Sequence, residues 1–184
     1  RQYLVLGRGQ WVVYLAAAVS LCIVLSFFCV PAMLYHYPQK YATMLVFGAA
    51  NGVLCLAAAL QYATPSVLYV AALTASATLV LGVYAAYTKR DFTGMAGALA
   101  CALWLLIAFG LLQIWFHDRM LQLLVAAGGA LVFMLYLIVD VQLILGGQHR
   151  VQYSLDDDVL ASIGLFLDIL NLFLYLLELF GERR

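Results

Sequence analysis

The sequence predicts an all-α integral membrane protein built as a helical bundle of six membrane segments. Of its 184 residues, 67% are hydrophobic and 10% are charged, a balance that is foreign to water-soluble domains. Apolar runs of about 20 residues, the length needed to cross a hydrocarbon core of about 30 Å, recur along the chain. Short polar or proline-containing turns separate these runs. We therefore expect residues 1–184 to form a single polytopic membrane domain.

Each predicted segment is an apolar run bounded by turn signals. Trp11 suits an interfacial anchor at the start of the first segment, and Pro31 favours its end. Pro65 falls in a polar turn before the third segment, and a charged loop at residues 88–93 precedes the fourth. Lys and Arg divide almost evenly between alternate sides, so the orientation stays open. The segments are predicted at about residues 11–34, 42–60, 67–87, 94–116, 120–145 and 159–180.

The distribution of charge and of reactive residues excludes several function classes. Nine basic and nine acidic residues balance, and the basic ones are scattered, so we do not expect nucleic-acid binding. The histidines His36, His117 and His149 fall in separate predicted turns, which argues against a structural metal cluster. No nucleophile, base and orienting group stand together in the segments, so we do not expect an enzyme.

Two aspartates lie within the last two apolar runs of the chain. Asp140 ends the run LVFMLYLIVD, and Asp168 lies in the middle of ASIGLFLDILNLFLYLLELF. A carboxylate inside a bilayer costs roughly 2.5–3.5 kcal/mol, so each should face the bundle interior or a water-filled cavity. If the two helices are antiparallel neighbours, Asp140 and Asp168 lie roughly 9 Å and roughly 15 Å from the turn and could meet. The alternative is that backbone groups, Asn171 or a hydroxyl satisfy each one separately.

Further polar residues lie near the two ends of the last predicted segment. An acidic run precedes it: Asp156, Asp157 and Asp158. This run either forms a mouth that concentrates cations or caps the helix and complements its dipole. Glu178 lies about 80° from Asp168 around the predicted helix, with Asn171 between them, which would make a polar track along one face. Solvation of Glu178 at the membrane interface is the alternative.

Three stretches resemble the transmembrane Bax-inhibitor motif family, especially its Lifeguard branch. Residues 139–147, VDVQLILGG, resemble that branch's D-T-Q-L-x-L-G signature. Residues 165–173, LFLDILNLF, resemble its final helix, L-Y-x-D-I-x-N-x-F. Residues 88–93, TKRDFT, resemble its T-x-x-D-F-T loop. The resemblance extends over about residues 30–181.

The chain also departs from the family pattern at several positions. Val141 stands where the signature has threonine, and Phe166 stands where it has tyrosine. The turn after the first segment lacks the arginine cluster of relatives and keeps only His36 and Lys40 as basic residues. An arginine latch on the paired aspartates is therefore not expected. These departures are typical of a divergent member, such as one of the herpesviral relatives.

The resemblance implies a fold and a function that composition does not give. It implies a seven-helix bundle with the last helix near its centre, in which the six segments match helices two to seven and the first helix is missing. It implies a pH-sensitive leak of calcium and other cations, with Asp140 and Asp168 as the ion-conducting, pH-sensing and calcium-binding residues. Asn171, Glu178 and the acidic run would be accessory. Calcium would be a permeant or transiently bound ion, and no cofactor is implied.

The resemblance further implies a cellular setting. Relatives modulate apoptosis and calcium homeostasis from endoplasmic reticulum, Golgi or plasma membranes. The lipid bilayer and calcium ions would then be direct partners. Apoptosis regulators or calcium-release channels would be protein partners.

Two other functions would use the same sequence features. A proton-coupled transporter would employ Asp140 and Asp168 as a proton relay, although no convincing internal repeat is visible. A non-conducting scaffold would bind cell-death partners through faces of small residues, which internal packing also needs. The candidate faces are Gly94, Gly97 and Ala98 in one segment and Gly128 and Gly129 in another. Calcium flux through the purified chain would distinguish the leak, which is the favoured prediction, from the scaffold.

Overall fold

Six α-helices make up most of the structure. The computed structural model describes residues 10–29, 36–116, 118–146, 153–154 and 157–183, without the side chains of Phe27, Phe28 and Ile114. The helices are α1 (Gln10–Cys29), α2 (Gln39–Ala59), α3 (Thr64–Tyr87), α4 (Ala96–Trp115), α5 (Arg119–Leu145) and α6 (Asp158–Phe180). A 3-10 turn, Thr93–Met95, leads into α4. The predicted fold class, an all-α membrane bundle, is confirmed.

Within the described residues, five helical stretches are long and apolar enough to cross a membrane. They are Gln39–Ala59, Thr64–Tyr87, Thr93–Gln113, Arg119–Leu145 and Asp158–Phe180. Within α1, Gln10–Ser26 is a shorter apolar stretch at the position of the first predicted segment. Each of the six predicted segments therefore corresponds to one helix.

Two helix starts differ from the prediction, and proline explains both. α2 begins at Gln39, directly after Pro38, rather than at residue 42. α3 begins at Thr64 and takes Pro65 into its first turn, where the prediction had a separate turn. Proline suits a first helical turn because an N–H there would have no intrahelical partner. Pro31, the predicted end of the first segment, lies outside the described residues.

The centre of the bundle is the contact between α5 and α6, which is the most extensive between any two helices. α6 also packs against α2 and α3, and α5 also packs against α3 and α4, while α1 packs against α2. Val70, Leu172 and Leu177 are fully buried in the main apolar cluster that joins these helices. The two aspartate-bearing helices are therefore the ones most shielded from lipid.

A glycine on α5 sets how closely α5 and α6 approach. A Cβ atom at Gly129 would lie 2.6 Å from two ring carbons of Tyr175 on α6, closer than real Cβ contacts come. The Tyr175 ring therefore lies directly on the α5 backbone, and it stacks on Phe133 with ring centroids 5.7 Å apart. Small residues permit this kind of close helix packing in membranes.

The two ends of the bundle are built differently. At the loop end, where α5 ends and α6 begins, Lys40 of α2 pairs with Asp158 of α6. At the C-terminal end, the backbone of Glu182 bonds to the residue before α3 and to the first turn of α3. The Ala63 N–H donates to the Glu182 carbonyl at 2.9 Å, and the Glu182 N–H donates to Ser66 Oγ at 2.9 Å.

Candidate functional site

Asp140 on α5 and Asp168 on α6 meet inside the bundle and are called the carboxyl pair below. A side-chain hydrogen bond joins the two carboxyl groups. Both residues are buried, with 9% of Asp140 and 5% of Asp168 exposed. At 1.5 Å per residue, they lie about 7 Å and about 15 Å along their helices from the loop end. The sequence left open whether the two aspartates meet or are satisfied separately, and in the structure they meet.

The hydrogen bond between two carboxyl groups has a chemical consequence. It needs a proton on one of them, because two ionised carboxylates have no hydrogen to share and repel each other. Asp168 Oδ2 is buried and has no hydrogen-bond partner among the described residues. The described ion pairs lie elsewhere: Lys40 with Asp158 and Arg183 with Glu178. Asp168 Oδ2 is therefore a free acceptor, and the carboxyl pair has no described basic side chain to neutralise it.

Gly164 and Tyr153 enclose the Asp140 side of the carboxyl pair. A Cβ atom at Gly164 would lie 2.7 Å from Asp140 Oδ2 and 3.9 Å from the Tyr153 hydroxyl, so both oxygens border the same small space. The Tyr153 N–H donates to the Leu143 carbonyl at 3.0 Å, which fixes this loop residue over the end of α5. Burial raises the pKa of the Tyr153 phenol to about 12, and the charges of Asp140 and Asp168 act in the same direction.

Sequence reasoning missed both of these residues. Gly164 precedes Asp168 by four residues, so the two share a helix face. A glycine at that spacing from a buried aspartate signals a close approach by another group. Tyr153 carries no comparable signal, because its position depends on the path of the loop.

A second buried polar group lies two residues after Asp140 on α5. Gln142 is fully buried; its Oε1 accepts from the Phe92 N–H at 2.8 Å, and its Nε2 donates to the Arg90 carbonyl at 2.8 Å. Asp91 Oδ1 accepts from the N–H and the hydroxyl of Thr93, at 3.0 Å and 2.6 Å, and shapes the same loop. We call Gln142 with its two backbone partners the amide clamp. It gives the loop at residues 88–93 a structural role that the sequence did not reveal.

The acidic run before α6 is engaged in local contacts. The Asp157 carboxylate accepts from the N–H and the hydroxyl of Ser154, at 2.9 Å and 2.8 Å. Asp157 is the N-cap residue of α6, but its side chain makes no capping hydrogen bond to the helix. The prediction that Asp157 caps the helix is therefore wrong, because its carboxylate accepts hydrogen bonds from Ser154 instead. Asp158 lies in the first turn, where its charge suits the helix dipole. Asp156 lies outside the described residues.

Asp158 also ties α6 to α2. It accepts from Lys40 Nζ at 2.6 Å and from the Tyr41 hydroxyl at 2.8 Å. The sequence offered Lys40 as one of two basic residues that could lie near the carboxyl pair. Its contact with Asp158 holds Lys40 at the loop end instead. His36, the other, is exposed.

Asn171 and Glu178 do not join the carboxyl pair. Asn171 Nδ2 donates to the Leu167 carbonyl at 2.8 Å, a bond within its own helix. Glu178 lies near the C-terminal end, where its carboxylate is 3.9 Å from an Arg183 nitrogen. It borders a polar space of about 450 Å³, called the C-terminal cavity below, together with Arg119, Gln122, Leu123, Gly181, Glu182 and Arg183. Glu178 is thus partly exposed near the bundle end, and Tyr175 lies between it and Asp168 in the chain.

Two aspartates alone supply too few ligands for a resident calcium ion. Among the described residues, no group of three or more His, Cys, Asp or Glu side chains could hold a metal ion. Calcium binds carboxylate oxygens but takes six to eight oxygen ligands, far more than two aspartates supply. His117 and His149 lie outside the described residues.

Comparisons with known proteins identify relatives across nearly the whole chain. A sequence model of the family described as "Inhibitor of apoptosis-promoting Bax1" matches residues 3–184. The "Golgi anti-apoptotic protein" of vaccinia virus (strain Lister) is 44% identical over 107 residues, which cover 58% of this chain and 43% of the relative. "Protein lifeguard 4" of Mus musculus is 31% identical over 144 residues, covering 78% of this chain and 58% of the relative.

A bacterial protein is about as similar to this chain as the mouse relative is. An "Uncharacterized protein" of Borreliella burgdorferi is 32% identical over 151 residues and is matched over 63% of its length. The matched part of this chain therefore spans less than two thirds of each of these curated relatives. Vaccinia virus proteins are among the relatives, and the expectation of a herpesviral member stays a prediction.

Proposed function

The chain belongs to the inhibitor of apoptosis-promoting Bax1 family, and from that premise we propose that it is a pH-sensitive, calcium-permeable leak in intracellular membranes. The observation that carries the proposal is the carboxyl pair: two buried acids that meet inside the bundle, with a free oxygen on Asp168. A buried acid in a membrane bundle is costly and is functional by default. A pair that needed only to stabilise the fold would leave no acceptor unsatisfied.

The mechanism follows from the proton that the two carboxyl groups share. With the proton in place, the hydrogen bond between Asp140 and Asp168 holds α5 and α6 together, and the pair carries one negative charge instead of two. Without it, two like charges face each other and attract a cation. Carboxylate oxygens suit calcium, so calcium and protons compete for the same atoms. Rising pH therefore favours calcium entry.

The cellular role comes from the relatives. The vaccinia virus relative is named a Golgi anti-apoptotic protein, and the mouse relative is a lifeguard protein. We infer that this chain modulates apoptosis and calcium content from the Golgi or the endoplasmic reticulum, with the plasma membrane as a further location. Apoptosis regulators or calcium-release channels are the inferred protein partners. The role is non-enzymatic.

A scaffold is the second candidate, and one observation favours it. Cβ atoms at Gly94 and Gly97, at the start of α4, would meet no other atom within 4 Å, so this small-residue face is open. Gly129, by contrast, is occupied by Tyr175 of the same chain and is not available to a partner helix. A scaffold that binds through Gly94 and Gly97 would carry no calcium by itself.

Reconstitution in liposomes that contain a calcium-sensitive dye tests the proposal. We expect calcium flux through the parent chain and a severalfold lower initial rate for both Asp140→Asn and Asp168→Asn. Asp118→Asn is the matched control. Asp118 is exposed and caps the N-terminus of α5, at the end of the helix opposite to Asp140, and asparagine caps a helix equally well. Absence of flux in the parent would favour the scaffold. Equal flux in the parent and both variants would exclude control by the carboxyl pair.

A further inference from the structure

A layer of apolar side chains lies between the carboxyl pair and the C-terminal cavity. Tyr175 follows Asp168 by seven residues, about 10 Å along α6, and lies within about 20° of it around the helix. Glu178, which borders the C-terminal cavity, comes three residues later. An ion that moves along this face of α6 from the pair to the cavity must therefore pass Tyr175.

The Tyr175 ring is held by contacts to α5. It covers the backbone of Gly129 and stacks on Phe133, with centroids 5.7 Å apart and planes 25° from parallel. Leu172, Leu176 and Leu177 are buried in the same cluster, so the layer extends across α6. Such a layer excludes water as well as ions.

The next turn of α6 after the layer is polar. Glu178, three residues after Tyr175, borders the C-terminal cavity. Tyr175 therefore lies at the boundary between the apolar layer and the polar residues of the cavity. Displacement of this one side chain from Gly129 would remove the ring from the path between the two polar regions without unfolding either helix.

We propose that Tyr175, held by Gly129 and Phe133, is the constriction that closes the route from the carboxyl pair to the C-terminal cavity. This inference rests on the proposed leak. Apolar constrictions gate channels by excluding water, and stacking on Phe133 favours the closed position of the ring. In this account the carboxyl pair attracts the cation, and Tyr175 determines whether it leaves through the C-terminal end.

Two adjacent glycines give a matched test of the constriction. A Cβ atom at Gly129 would displace the Tyr175 ring, whereas one at Gly128 would lie 3.9 Å from Leu106 Cδ2, an ordinary contact. In the liposome assay we expect Gly129→Ala to raise the calcium leak severalfold and Gly128→Ala to leave it at the parental rate. Where the parent conducts calcium, equal leak rates in both variants and the parent would overturn the proposal.

Substitutions of the ring itself provide a second variant in case Gly129→Ala fails to fold. We expect Tyr175→Ala to raise the leak severalfold, while Tyr175→Phe, which keeps the ring and its stacking, stays near the parental rate. A merely structural role would not raise conduction. Parental leak in folded Tyr175→Ala would contradict the constriction.

Labelling of introduced cysteines tests the constriction without relying on flux. In a chain with Cys22, Cys29, Cys55 and Cys101 changed to alanine, a membrane-impermeant thiol reagent is applied from the C-terminal side. We expect fast labelling of Glu178→Cys and slow labelling of Asn171→Cys, which lies beyond the ring. Adding Tyr175→Ala should speed labelling of Asn171→Cys at least tenfold.

The labelling result separates the two proposals. Faster labelling in the Tyr175→Ala background supports the constriction even if no calcium flux is found, in which case only the proposed leak fails. Equal labelling of Asn171→Cys with and without Tyr175 overturns the constriction, whatever the flux.

Discussion

The carboxyl pair and the amide clamp are two buried polar sites that begin two residues apart on the same helix, yet they are built in opposite ways. Gln142 gives one hydrogen bond and accepts one, both with backbone groups of the loop before α4. Asp140 instead bonds to another acid, and Asp168 Oδ2 has no described partner. A polar side chain with each of its two ends paired to backbone is part of the scaffold. A pair of acids with an unpaired acceptor oxygen can bind a proton or a cation.

The largest effect on stability is expected from breaking the amide clamp. Gln142→Met keeps the volume but leaves the Phe92 N–H and the Arg90 carbonyl without their partner, which should cost about 2 kcal/mol or more. Thermal unfolding in detergent measures this loss. Gln122→Met, on the same helix but at the C-terminal cavity, is the control and should unfold near the parental temperature. Similar losses of stability in Gln142→Met and Gln122→Met would mean that the amide clamp contributes no more than another polar side chain of α5.

Breaking the carboxyl pair should have a smaller effect of the opposite sign. Asp168→Asn removes a buried acid that repels Asp140 whenever both ionise, and replacing buried charge is often neutral or stabilising, so stability should hold or rise. The same unfolding measurement compares it with Gln142→Met. A loss as large as that of Gln142→Met would show that the carboxyl pair is structural, and the contrast between the two sites would disappear.

The smallest effect is expected at the loop end, where Lys40 and Asp158 form an ion pair in contact with solvent. Lys40→Met should lower stability slightly, and the difference from the parent should vanish at high salt because screening weakens exposed pairs. Since Lys40 neutralises Asp158, Asp158→Asn should change calcium flux little at low ionic strength. A strong dependence of flux on Asp158 at low salt would instead favour the cation mouth.

The sequence was sufficient for the helices and for the carboxyl pair. Long apolar runs leave little choice but membrane helices, and acids in two neighbouring runs must avoid lipid, which brings Asp140 and Asp168 to the same interior. The helix starts at Gln39 and Thr64 were less accurate, because proline can either end a turn or begin a helix.

The remaining contacts could not be predicted, because they depend on helix rotation and on loop paths. Gln142 finds its partners about fifty residues away in the chain, in the loop at residues 88–93. The Asp157 carboxylate bonds to Ser154 rather than to the α6 backbone, a choice that the sequence does not indicate. Gly129 was recognised as a small residue, but its partner, Tyr175, follows only from the rotation of α6 against α5.

Competition between calcium and protons at the carboxyl pair tests the central claim most directly. Calcium affinity is measured for the purified parent and for Asp168→Asn between about pH 8 and about pH 6, a range suited to coupled buried acids. We predict that the parent binds calcium more weakly as the pH falls, since protons occupy the same oxygens, and that Asp168→Asn loses most of this dependence. A pH response of equal size in both proteins would contradict the account and would direct attention to the histidines.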